Sequence, residues 1–97
     1  MIIDCHTHIF PGEMRKNRAS LCEQEEGFAS IYKDVRSKMI GFEELIAAMD
    51  RVGVDSSVIC GFSWNRPDLC ALHNRYLFKA TSYFPERLIP FICLPDF

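Results

Sequence analysis

His6 and His8 stand one residue apart near the start of the chain, and their type and spacing fit metal chemistry. On a β-strand, side chains two apart share a face. The run Ile2-Ile3-Asp4-Cys5-His6-Thr7-His8 therefore puts both imidazoles on one side with Asp4, and Ile3, Cys5 and Thr7 on the other. Two neutral imidazoles at the end of a strand can share one ion of zinc, iron, nickel or copper. An isolated His-x-His pair is more often one satisfied structural histidine and one surface histidine. Here the pair follows Ile-Ile-Asp and precedes Ile9-Phe10-Pro11-Gly12, a strand running into a turn, and that context favours the shared ion. The other chemical groups are weaker candidates. His73 lies beside Asn74 in a helical stretch and is expected to face outward or to bond locally. Phe10, Phe62 and Trp64 follow the ends of the first two strands. Phe62 is expected to pack, whereas Trp64 and Phe10 are candidates to line a substrate pocket, with simple packing as the alternative.

Such a site needs elements to hold it. The first strand is expected over residues 2–8. Glu13 to Glu26 mixes both charge signs and is expected to be a loop with at most one helical turn. Phe28, Ile31, Tyr32 and Val35 then recur at helical spacing and predict a short helix over 27–36. A connection as long as 11–40 is usually functional or disordered. Its helix either covers what the first strand presents or belongs to a surface insertion. A second helix is predicted over 41–52, with Gly41 as N-cap, Glu44 completing a partial capping pattern, and Gly53 as the stop. Phe42, Leu45, Ile46, Met49 and Val52 form its apolar stripe. The run 57–62 is apolar without alternation, as in a strand covered on both faces. Pro67 opens a helix over 68–83 with Leu69, Leu72, Tyr76, Ala80 and Tyr83 as its apolar face, and Pro85 ends it. A last strand is predicted over 88–94, with Pro90 near its start or on an edge, and a loop at Pro95-Asp96-Phe97. Alternating strands and helices imply an α/β fold of parallel strands joined by right-handed crossovers. The helices 41–52 and 68–83 should then share one face of the sheet. His6 and His8 fall at the carboxyl end of the first strand, where parallel α/β folds carry their chemistry.

Composition bounds the rest. The chain has 97 residues, 48% hydrophobic and 12% aromatic, which is a globular rather than a disordered composition. One domain over 1–97 is expected. The formal charge is −2 and no basic cluster stands out, so nucleic acid is not an expected partner. No apolar run approaches the roughly 20 residues that span a bilayer, so no membrane partner is expected. The first residues lack the plan of a signal peptide, and a cytoplasmic location is the expectation. Five cysteines, at 5, 22, 60, 70 and 93, form no Cys-x-x-Cys pair. They are expected to be reduced, mostly buried thiols, a cysteine-rich zinc site being the alternative that the spacing disfavours.

The run Ile3-Asp4-Cys5-His6-Thr7-His8-Ile9-Phe10-Pro11 resembles the first strand of the amidohydrolase superfamily. The resemblance is closest to its amidohydrolase-related branch of metal-dependent hydrolases and non-oxidative decarboxylases of aromatic or unsaturated acids. Leu45-Ile46-Ala47-Ala48-Met49-Asp50 leading into Gly53-Val54-Asp55 carries the resemblance onward. So do Asn74-Arg75-Tyr76-Leu77 and Tyr83-Phe84-Pro85-Glu86-Arg87-Leu88-Ile89-Pro90-Phe91. The resemblance implies a TIM (β/α)8 barrel, which takes roughly 250 residues, so the chain corresponds to its first three β/α units. It implies His6 and His8 as the first two ligands of a divalent metal, zinc foremost, and Asp4 as a hydrogen-bond acceptor behind them. His73 matches no ligand of the family. A histidine from a middle strand and an aspartate from the last would complete the site, and no residue here matches them. The implied reaction is hydrolysis, or alternatively decarboxylation, of a small molecule, a carboxylic acid in the decarboxylases. The chain alone is then expected to be inactive and to self-associate through open sheet edges. The non-catalytic alternative is a remnant that serves as a metal-binding or interaction module.

Overall fold

The computed structural model describes residues 1–94; the loop expected at 95–97 lies outside them. In chain order the elements are β1 (Ile3–His8), α1 (Gly12–Lys16), α2 (Arg18–Gln24), α3 (Glu26–Tyr32), α4 (Phe42–Val52), β2 (Ser56–Cys60), α5 (Pro67–Tyr83) and β3 (Leu88–Phe91). The three strands form one sheet in the order β1-β2-β3, and both pairings are parallel. This is the expected α/β arrangement, an open three-stranded parallel sheet.

The apolar stripe of α4 explains where the helices go. Leu45, Ile46 and Met49 are buried with Leu77 and Ala80 of α5 against Ile9, Ile59 and Leu88. Both long helices therefore cover the same face of the sheet. On the opposite face Ile89 and Phe91 of β3 are exposed at 42% and 59%. The expectation that β2 is covered on both faces is corrected accordingly: Ile59 is fully buried, while its neighbours Val58 and Cys60 are half-buried.

Two clamps hold the amino end of the sheet. The Arg87 guanidinium donates to the carbonyls of Asp55 and Val54 and pairs with Asp50 at 2.7 Å. The Asp55 carboxylate accepts the Ile2 backbone N–H at 2.7 Å. Gly53 closes α4 at φ 78°, in the left-handed region that glycine adopts without a steric cost, and its N–H donates to the Met49 carbonyl. At the other end of α4, Gly41 is the N-cap as expected, but Glu44 does not complete a capping box. Glu44 pairs with Arg15 at 3.3 Å, and the orphan Phe42 N–H donates to the Tyr76 hydroxyl at 2.8 Å.

The connection 11–40 is largely helical, which corrects the loop expected over 13–26. Its sparse apolar residues Met14, Leu21 and Phe28 recur every seven positions, and all are buried. They pack with Phe10, Tyr32, Trp64, Leu69 and Cys70 in a second cluster at the carboxyl end of the sheet. The helix predicted over 27–36 is α3, which stops at Tyr32; Ile31 and Val35 are exposed rather than part of its packed face. Arg18 gathers the carbonyls beyond it, donating to Tyr32 at 2.8 Å and to Asp34 and Ser37 at 2.6 Å.

Candidate metal centre

β1 ends with both histidines on one side, as the two-residue period of a strand requires. Nε2 of His6 lies 3.0 Å from Nε2 of His8, with the rings edge to face at 77°. His8 pairs laterally with Cys60 of β2, and Cys60 pairs with Phe91 of β3. The pair therefore sits over the face that α4 and α5 leave open, at the carboxyl end of the sheet. His6 is exposed and His8 half-buried. Beneath His8 lie the rings of Phe62 at 5.8 Å and Phe10 at 6.4 Å, the latter nearly parallel to it.

The approach of the two nitrogens matches ligand spacing. At a zinc–nitrogen bond of about 2.05 Å, tetrahedral ligands stand about 3.3 Å apart, and a 3.0 Å separation corresponds to an angle of about 94°. A small outward rotation of either ring closes that difference. Without an ion, one ring donates its Nε2–H to the lone pair of the other. Burial holds the His8 pKa below its ordinary value, and repulsion from a protonated His6 lowers it further. The backbone at Cys60 and Gly61 opposes this in part, although Nδ1 of His8 is buried without a hydrogen bond of ordinary geometry. A neutral His8 is the form that binds a metal. Among the described residues, no group of three or more His, Cys, Asp and Glu side chains converges to hold an ion. The residues present thus fit two positions of a metal's shell and leave the others open.

Asp4 is not placed as strict alternation expects. Asp4 pairs with Ser57 and Thr7 with Ile59, so a register shift lies between them. The alternation that groups His6 with His8 does not run through Asp4. Its carboxylate accepts the backbone N–H of His6 at 3.1 Å, a structural role in the strand rather than contact with a ring.

Phe10 and Trp64 lie in the packed cluster at 0% and 1% exposure. Among the described residues both are closed off from solvent, Phe10 under His8 and Trp64 packed on Phe62 and Phe28. Open depressions lie elsewhere, one along Phe42, Lys79 and Tyr83 and another along Arg18, Tyr32 and Val35.

His73 also departs from expectation. It is 1% exposed rather than outward-facing, and it reaches across the fold. The Trp64 indole N–H donates to its Nδ1 at 3.0 Å, and its Nε2 lies 2.6 Å from the carbonyl oxygen of Ile9. Burial lowers its pKa to about 4, the Ile9 carbonyl opposing and His8 adding to the effect. The neighbouring Asn74 grips the backbone of Cys93 with both ends of its amide, at 2.8 and 3.1 Å. Adjacent residues of α5 thus hold the exits of both outer strands.

The five cysteines are free, but Cys70 alone is buried; Cys22, Cys60 and Cys93 are half-buried and Cys5 is exposed. No helix of the described residues is long and apolar enough to cross a membrane. No protein-family model matches the chain, and neither does any curated protein or solved structure.

Proposed function

We propose that the chain is the amino-terminal part of a metal-dependent hydrolase barrel, in which His6 and His8 supply two ligands to a divalent ion, zinc foremost. The observation that carries this reading is the 3.0 Å approach of the two Nε2 atoms at the carboxyl end of a parallel strand. The resemblance of the first strand to the amidohydrolase-related branch supports it, as does the same-face placement of α4 and α5, which leaves a face free to become a barrel interior. A bound ion of this kind supplies Lewis acidity and lowers the pKa of a coordinated water. The histidines would hold it, Asp4 would brace the strand that carries them, and Phe10 and Phe62 would keep water from beneath His8. Small-molecule hydrolysis is the proposed chemistry; decarboxylation of a carboxylic acid is the alternative within the same branch. Five reduced cysteines accord with a cytoplasmic location.

A non-catalytic metal-binding or interaction module is the second reading. The described residues bring two ligands together and no third, a set that both readings accommodate. Zinc titration tests the metal site, and a metal-supplemented screen of ester, amide and carboxylic-acid substrates tests whether the chain turns over by itself. Weak binding abolished by His6→Ala or His8→Ala supports the metal site, and a double alanine variant that titrates like wild type rejects it. Turnover lost in His6→Ala would make this chain an enzyme by itself, whereas binding without turnover is the outcome expected of two ligands.

A further inference from the structure

The pairing of β1 with β2 ends at His8 and Cys60, so the sheet does not hold the chain beyond His8. Other groups do. The Phe10 N–H donates to the Ile40 carbonyl at 2.9 Å, and the Ile9 carbonyl is met by His73 at 2.6 Å. Both polar groups of the peptide joining Ile9 to Phe10 are thereby pinned, one residue past His8.

The partners of His73 dictate its state. An indole N–H can only donate, so Nδ1 of His73 must accept from Trp64. A backbone carbonyl can only accept, so Nε2 must carry the proton and donate to Ile9. One neutral tautomer satisfies both, and each ring nitrogen is used. The ring also lies 5.0 Å from Phe10 at 31°, and Phe10 in turn lies nearly parallel to His8. A backbone route and a stacking route therefore connect His73 to the ligand pair.

We propose that His73 is a positioning residue for the His6–His8 pair: by holding the Ile9 carbonyl it fixes the chain immediately after His8 and aims that ring at His6. Its consequence for metal affinity rests on the reading of the pair as ligands; its consequence for ring geometry does not. A purely structural histidine would lower stability when replaced and leave the rings of folded molecules where they are.

Three variants separate these roles. His73→Gln keeps an amide N–H at the reach of Nε2. His73→Asn places an amide at the reach of Nδ1 for Trp64 and is too short for Ile9. His73→Leu removes both bonds, and should it fail to fold, the Gln and Asn pair carries the comparison. Folded samples, checked by circular dichroism, are compared by imidazole nitrogen–proton NMR spectra of His6 and His8 without metal, and by competitive zinc titration. His73→Asn is expected to change the ring signals of both histidines and to weaken zinc binding about tenfold or more, the usual effect of losing a group that orients a ligand. His73→Gln is expected to restore the wild-type ring signals and most of the affinity. Wild-type ring signals in folded His73→Asn overturn the proposal. If wild type binds no zinc, or binds it without His6 and His8, the metal reading fails and the ring signals still decide the role of His73.

Discussion

A metal site made of two imidazoles competes with protons for the same lone pairs. Zinc affinity is expected to fall as pH drops and protons displace the ion, burial favouring the neutral, metal-binding form of His8. Titrations at successive pH values check this. His73 gives a separate prediction about stability. Its folded pKa of about 4 lies below the ordinary 6.5, so the unfolded chain binds the extra proton between those values. Stability contributed by its neutral, buried form is complete above pH 6.5 and is lost as pH falls toward 4, amounting to about 3 kcal/mol. Urea midpoints measured across this window should decline in wild type and flatten in His73→Gln. His6 and His8 were visible in the sequence because a strand's two-residue period is local and needs no partner. His73 and Asp4 were not, for different reasons. The role of His73 depends on Ile9, 64 residues away, and on a rotated helix face. Asp4 lies on the far side of a register shift that pairing with β2 imposes on β1.

Among the elements, α5 shows how a stripe can be misjudged. Leu69 and Ala80 are buried as the spacing implies, but the packed face runs through Cys70, His73 and Leu77. Tyr76 is drawn aside to bond the Phe42 N–H, and Tyr83 stacks on Phe42 at 5.7 Å while remaining largely exposed. Aromatic residues with polar tips blur an apolar period in this way. The connection 11–40 hid its helices differently: α1 and α2 are short, and each buries one apolar residue, Met14 and Leu21. Their stability comes from packing, which no local propensity reports. Two predictions concern element ends. Gly53→Ala should cost about 1 kcal/mol, since a Cβ there meets open space and the penalty is the left-handed backbone alone. Arg18→Ala frees the carbonyls of Tyr32, Asp34 and Ser37 and should cost about 2 kcal/mol. Faster trypsin cleavage at Lys33, Arg36 and Lys38 would accompany it, and Arg18→Lys should not restore the wild-type rate because an ammonium cannot reproduce the planar fork.

Among the described residues, one side of the sheet is bare. Ile89, Phe91 and Ile92 are exposed there or beside it, and β1 and β3 each lack a neighbour on one edge among the described residues. Exposed apolar surface and unpaired strands recruit other chains. Self-association rising with concentration in sedimentation is expected, and Ile89→Thr with Phe91→Thr should reduce it without unfolding the chain, since both side chains are already exposed. The fold class was accessible from sequence because alternating strands and helices restrict connectivity. That one face stays open was not, because nothing local in β3 distinguishes a bare strand from a covered one. The two apolar clusters also divide the molecule in time. Ile9 belongs to the cluster under α4 and α5, and Phe10 to the one built by α1–α3 and Trp64. Consecutive residues thus anchor in separate cores, and the connection 11–40 is expected to open while the sheet persists. Amide exchange should then show two protection classes, the sheet and long helices slow and residues 12–37 faster. Because Phe10 lies under His8 and packs on Phe28 and Tyr32 of α3, each opening of α1–α3 would loosen the packing behind the floor of the histidine pair, and an ion held there would be released faster when it does.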